Sequence, residues 1–260
     1  MIGNIIVKSN YEEMSHYAAS VVAGIIRLKP DCVLGLPTGS TPIGMYKELI
    51  RMHQTEGLDF SGVTTFNLDE YVGLGLDLNK PYTKDQSYAR FMWEEFFRHV
   101  SLRKENALIP DGRAKDLVKE CHYYESRIKQ AGGIDLQILG IGTDGHIGFN
   151  EPSSPFSSRT RVEDLHAQTI ADNYEKFFKP AGFAKGQVPK RAVSMGIATV
   201  LEAKQIMLLA SGQEKSDVVF KALSGPIMEE MPASVLQLFP EKIRIVTDQT
   251  AASRMVKYTE

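Results

Sequence analysis

The 260-residue sequence is poor in cysteine, nearly without tryptophan and free of long apolar runs. Its two cysteines, Cys32 and Cys121, are too few for a disulfide framework and lack metal-ligand spacing. The amino terminus MIGNIIVKSNYEEM lacks the charged-then-apolar pattern of a secretory leader, and a reducing cytoplasm fits the cysteine usage. No stretch approaches the ~18 apolar residues that a membrane-spanning helix needs. An excess of one charge is missing too: 30 basic and 32 acidic residues leave a net charge of −2. The basic residues are scattered, so the footprint of a nucleic-acid binder is absent. Repeats, low-complexity tracts and flexible linkers are likewise missing. What remains is 43% hydrophobic and 24% charged, an ordinary globular composition. It suits a single domain over residues 1–260 whose partner is a small molecule.

Short apolar runs alternate with amphipathic stretches, which predicts βα units feeding a mainly parallel sheet. Expected strands are Asn4 to Val7, Cys32 to Leu36, Val63 to Asn67, Ile134 to Ile141, Ala192 to Met195, Gln205 to Ala210 and Lys242 to Val246. The first helix should cover YEEMSHYAASVVAGIIRL, with Met14, Tyr17, Val21, Ile25 and Leu28 at helical spacing and a Ser9–Glu12 capping box. Further helices are expected at Ile43 to His53, Gln86 to His99, Asp116 to Lys129 and Gln213 to Leu223. The stretch from Pro152 to Pro189 is the least regular, as a lid or binding element often is.

Ligands of an open parallel sheet gather at the carboxyl ends of its strands. Four such ends carry polar groups. After CVLGL come Thr38, Gly39, Ser40 and Thr41, with Pro42 suited to the first helical position and Thr41 to the cap before it. Free backbone N–H groups there make a phosphate site; a plain capped turn is the alternative. The stretch VTTFNLDEYVGL puts Asp69, Glu70 and Tyr71 on the rim, where a carboxylate serves as a general base or is merely solvated. In GIGTDGHIGFNE, Asp144, His146 and Glu151 share one glycine-rich loop. An imidazole with a carboxylate on its other nitrogen suits proton transfer near neutral pH. A metal site is the weaker alternative, because one imidazole and two carboxylates in so bare a loop match zinc-type or iron-type sites poorly. The other histidines, at 16, 53, 99, 122 and 166, read as surface groups. In QIMLLASGQEKSD, Ser211 and Glu214 have capping-box spacing, and Lys215 in the first helical turn opposes the dipole, which either a bound anion or the neighbouring Glu214 would offset.

Taken together, GLPTGSTP at 35–42, FNLDEYVGL at 66–74, GTDGHIGFNEP at 142–152, SSRTR at 157–161 and SGQEK at 211–215 resemble the glucosamine-6-phosphate deaminases, also called glucosamine-6-phosphate isomerases. The resemblance runs from Ile5 to Val246 and implies a modified Rossmann-like three-layer α/β sandwich. It implies conversion of glucosamine 6-phosphate and water to fructose 6-phosphate and ammonium, with neither metal nor organic cofactor. By the same resemblance His146 opens the sugar ring, Asp144 and Glu151 orient and charge its imidazole, and Asp69 moves the C2 proton to C1. The phosphate would sit against Gly39, Ser40, Thr41 and Lys215.

Two departures stand out. The family's further phosphate-binding arginine occupies an Asn-x-Arg-Phe-Phe context, whereas this chain reads Asn173-Tyr174-Glu175-Lys176-Phe177-Phe178, with Lys176 the substitute after a one-residue insertion. Allosteric members bind N-acetylglucosamine 6-phosphate with an arginine and a lysine two positions on. Here Arg161 is followed by Glu163, which predicts little or no activation by that effector. Galactosamine-6-phosphate deaminase, 6-phosphogluconolactonase and a non-catalytic sugar-phosphate sensor are the rival readings. The family contains monomers and hexamers, so a homo-oligomer is left open. Residues 161–187 are the expected lid.

Overall fold

The computed structural model describes residues 4–75 and 86–255. In chain order the elements of its larger sheet are β1 (Ile5–Lys8), β2 (Val33–Leu36), β3 (Thr64–Asn67), β5 (Ala107–Leu108), β6 (Leu136–Leu139), β9 (Gln205–Ala210) and β10 (Ile243–Asp248). They lie in the order β1-β10-β9-β6-β2-β3-β5, and every pairing is parallel. A parallel sheet is covered on both faces, which is why β9 is apolar at consecutive positions. Its Ile206 and Leu208 join one core cluster, and its Met207 and Leu209 join the other. On the second of these faces lie α1 (Tyr11–Leu28), α2 (Ile43–Glu56) and α3 (Tyr88–Glu95). The first is covered by α4 (Leu117–Gln130), α6 (Ile197–Leu201) and α7 (Ser216–Ser224), giving the three layers expected of a Rossmann-like α/β sandwich.

The smaller sheet was not foreseen. Its strands β4 (Asp69–Tyr71), β8 (Arg191–Ser194) and β7 (Arg161–Asp164) pair antiparallel, with β8 in the middle. The run Ala192–Met195, expected in the main sheet, thus belongs here. Asp69, Glu70 and Tyr71, expected as a solvated rim, form a strand and are buried. The chain leaves the large sheet at Asn67 and enters the small one at Asp69, so Asp69 stands at their junction. Residues 152–189 are also more regular than expected: besides β7 they contain α5 (Ala167–Asn173) and a π-helical turn, Tyr174–Phe178.

Three caps differ from expectation. At α1 the cap is Asn10, whose extended backbone aims its Oδ1 at the Glu13 N–H (2.9 Å), displacing the Ser9–Glu12 box. At α2 no side chain of Thr41 or Pro42 caps the helix; the hydroxyl of Tyr11 takes the Gly44 N–H instead. Ser211 donates to Asp248 rather than closing a box with Glu214. The buried stripe of α1 is also shifted. Met14, Ala18, Ala19, Val22, Ala23 and Ile26 face the core, while Leu28, the last residue of the helix, is 89% exposed.

Candidate active site

One cleft opens at the carboxyl ends of β2, β3, β6 and β9 and is walled on its far side by α5 and the π turn. It brings Asp69, His146, Gly39, Ser40, Thr41, Lys176 and Lys215 together. Asp144 and Glu151 stand beside His146: one imidazole nitrogen and one carboxylate oxygen from each acid lie within 4.8 Å of one another. Arg161 is not among the residues lining the cleft.

The loop after β6 folds back on itself. Gly142 donates its N–H to the His146 carbonyl at 2.9 Å, and a β-carbon on Gly142 would stand 2.2 Å from the His146 ring, so only glycine lets the imidazole lie across the backbone. Nδ1 of His146 is 2.7 Å from Asp144 Oδ1, and the same oxygen accepts the His146 backbone N–H at 3.1 Å. This leaves Nε2 as the nitrogen available to a ligand in the cleft. Burial is the largest influence on Asp144 and pushes its carboxyl up. The hydrogen bond and charge of His146, with backbone N–H groups, outweigh it and hold the pKa at about 2.

Asp69 has the opposite environment. It is 5% exposed, and burial, then the Glu70 carboxylate, push its pKa up to about 8 against the pull of a hydrogen bond from the Phe149 N–H. Glu70 itself is structural: its oxygens accept the N–H groups of Tyr71, Tyr88 and Ala89, anchoring the start of α3. Gly148, with φ of +58°, passes between Asp69 and Ser194, where a β-carbon would approach both side-chain oxygens to 3.3 Å.

The same cleft holds two lysines. Lys215 follows β9 and reaches back to donate to the Ile141 carbonyl at 2.7 Å. Burial, then the nearby charge of Lys176, push its pKa down. Its turn is fixed by Asp248, whose carboxylate accepts from Ser211 Oγ and from the N–H groups of Gly212 and Ala251. Lys176 rides on the π turn, in which the Lys179 N–H bonds the Tyr174 carbonyl five residues back at 2.8 Å. A π turn is how a helix absorbs one additional residue, and it keeps Lys176 on the cleft wall.

Some residues of the site gave no signal in the sequence. Tyr88 lines the cleft, its ring stacked on Phe149 at 5.7 Å and 10° and its hydroxyl 3.1 Å from that of Tyr71. His166 is half exposed, as its reading as a surface group anticipates, but its Nδ1 also stands 3.6 Å from Glu151 Oε2. An alternation of hydrophobic and polar residues carries no trace of either contact, because each joins segments far apart in the chain.

The fold and its cleft define an α/β enzyme of the Rossmann-like class with an acid–base centre at the carboxyl edge of the sheet. Residues 8–245 match the family model described as glucosamine-6-phosphate isomerases/6-phosphogluconolactonase, and the chain belongs to that family. It is 49% identical over 249 residues to the glucosamine-6-phosphate deaminase of Thermoanaerobacter pseudethanolicus, covering 96% of this chain and 94% of the relative. The glucosamine-6-phosphate deaminase of Clostridioides difficile is 47% identical over 251 residues, 96% of each chain. Among solved structures, a monomeric glucosamine-6-phosphate deaminase superposes with a TM-score of 0.89 at 44% identity, covering 96% of this chain and 99% of its own. The 6-phosphogluconolactonase of Trypanosoma cruzi, at 19% identity and a TM-score of 0.73 over 97% of this chain and 96% of its own, shares the fold.

Proposed function

We propose that this chain converts glucosamine 6-phosphate and water to fructose 6-phosphate and ammonium. The observation that carries this is the joint placement, in one cleft, of an imidazole backed by a carboxylate, a buried carboxyl of raised pKa and two lysines. The deaminase names of relatives near 49% identity support it.

The lysines and the backbone of Gly39 to Thr41 bind the phosphate, leaving the sugar carbons toward His146 and Asp69. His146 Nε2 exchanges protons between the ring oxygen and the anomeric hydroxyl, which opens the ring. Asp69 then takes the proton from C2 and returns it at C1 through an enol-type intermediate. Water adds at C2, the C2–N bond breaks and ammonium leaves. The substrate's own C2 ammonium suits the environment of Asp69, since a cation beside that carboxyl favours its ionised form.

The reaction is tested by following ammonium and fructose 6-phosphate together, with glucosamine 6-phosphate, galactosamine 6-phosphate and 6-phosphogluconolactone offered separately. One-to-one products from the gluco sugar are expected; hydrolysis of the lactone alone would overturn the proposal. The phosphate end has its own test. Lys215→Met removes a charge-assisted bond that contributes about 1.5–3 kcal/mol, so KM should rise roughly 10- to 150-fold. An unchanged KM would take Lys215 out of the phosphate site.

Regulation by N-acetylglucosamine 6-phosphate is not expected. The guanidinium of Arg161 is occupied within the chain: Nε faces Glu163 Oε2 at 2.8 Å, Nη1 donates to Asn150 Oδ1 at 2.9 Å and Nη2 to Ser154 Oγ at 2.9 Å. An incoming phosphate would have to displace the Glu163 carboxylate. Allosteric couplings are typically 5- to 150-fold, and here the half-saturating substrate concentration should stay within about 2-fold on adding that sugar phosphate. A several-fold fall would refute this. Residues 161–187 act as the lid, and amide exchange in α5 and the π turn should slow when a sugar phosphate is bound.

A further inference from the structure

Glu151 is 1% exposed, yet its Oε2 has no hydrogen-bond donor among the described residues. Its Oε1 accepts the backbone N–H of His166 at 3.2 Å, while Oε2 lies 3.6 Å from Nδ1 of the same histidine, just outside hydrogen-bond range. On its other side the Glu151 carboxylate approaches His146, which with Asp144 completes the group gathered within 4.8 Å. A buried carboxylate oxygen without a donor is costly, so Oε2 takes whichever imidazole turns toward it. Both histidines thus stand beside this one carboxylate: His166 Nδ1 3.6 Å from Oε2, and a His146 nitrogen within 4.8 Å of one of its oxygens.

His166 is placed to make that arrangement matter. It ends the connection from β7 and caps the start of α5, and α5 with the π turn brings Thr169, Asp172 and Lys176 to the cleft wall. Its neighbour Leu165 is buried with Phe149, Tyr71 and Phe178, which ties the backbone here to the catalytic loop. The charged groups around it are Asp144 and His146, the Arg161–Glu163 pair that is turned to itself and to Asn150 and Ser154, exposed Asp164 with Lys190 and Arg191 on the adjoining strand, and Asp172, Lys176 and the Glu175–Lys179 pair on α5 and the π turn. A movement of the 161–187 segment thus shifts the His166 ring relative to Glu151 while His146 stays with its own loop.

We propose that His166 is a positioning residue: it holds Oε2 of Glu151 and makes the alignment of that carboxylate on His146 depend on how the 161–187 segment is seated. Its consequence for turnover rests on the reaction proposed above, but the contact itself does not. The two are separated by a measurement without substrate.

The ring nitrogens of His146 are titrated by nitrogen NMR in the full-length protein for wild type, H166A and H166R. Every variant keeps the residue-166 N–H that anchors Oε1, so the difference reports Oε2. Removing the second imidazole in H166A should leave the carboxylate to His146 and move its titration up by at least about half a unit. A fixed guanidinium in H166R should hold Oε2 and move it down. In turnover, H166R should lower kcat roughly 10-fold with KM within about 2-fold, and H166Q, which retains a donor, should lie between it and wild type. Shifts of the same sign in H166A and H166R, or no shift, would overturn the proposal; so would a rise in KM that matches the fall in kcat. If H166A does not fold, H166R against H166Q carries the same contrast. An inactive wild type would sink the reaction and leave the NMR result decisive for the contact.

Discussion

Asp69→Asn should abolish turnover and at the same time stabilise the fold, by an amount that grows with pH. The activity loss follows from removing the base proposed to carry the C2 proton, an effect of about 10²- to 10⁴-fold for a positioned general base. The stability gain follows from the burial of Asp69 beside Glu70. In the folded chain its pKa is about 8, against the ordinary 3.8. A carboxyl raised on folding binds its proton more tightly in the folded state, so its contribution is fully present below pH ~4 and is lost as pH rises toward ~8. At ~1.4 kcal/mol per unit the ceiling is about 6 kcal/mol, and relaxation and water entry reduce what is realised. Asparagine does not titrate and keeps the size and shape of the side chain, while the Phe149 N–H keeps its bond to Ser194 Oγ. Thermal melts of both proteins should therefore agree near pH 4 and separate by several degrees at pH 8, with the variant higher. A gain equal at both pH values would mean that Asp69 is not held protonated. Retained turnover would remove it from the mechanism.

The second large effect is expected at His146. His146→Gln should lower kcat by about 10²- to 10⁴-fold with little change in KM, since the proposed role of the imidazole is proton transfer and not phosphate binding. Asp144 acts only through that ring. Its pKa near 2 keeps it anionic at any working pH, and at 2.7 Å from Nδ1 its charge is placed to favour an imidazolium in the proposed proton transfer. Asp144→Asn should consequently be costly alone and add nothing in the His146→Gln background. The comparison is a double-mutant cycle on kcat, and additive losses would show Asp144 acting by a separate route.

The parallel sheet was legible because burial on both faces leaves apolar runs that nothing in their surroundings can hide, as in Gln205–Ala210. The antiparallel sheet was not. Ala192–Met195 is an equally good apolar run, and periodicity does not say which sheet a strand will join; β4 and β7 have only three and four residues, too few to establish a period. Helix caps were misplaced where the choice was non-local, as when the Ser211 hydroxyl turned to Asp248, 37 residues on. The loop around His146 could be read because its parts are neighbours in sequence. Glu151 and His166 could not be paired, since 15 residues separate them and only the fold closes the distance.

The π turn that carries Lys176 bears on how such a cleft changes over generations. One residue added to an α-helix rotates everything after it by about 100°, which would swing downstream side chains onto the wrong face. Here the surplus is taken up between Tyr174 and Phe178, and Phe178 remains 2% exposed in the aromatic cluster against Tyr71 and Phe183. A wall built on such a turn can take an added residue without disturbing what lies behind it, so the position of its cation is uncoupled from the packing of the core.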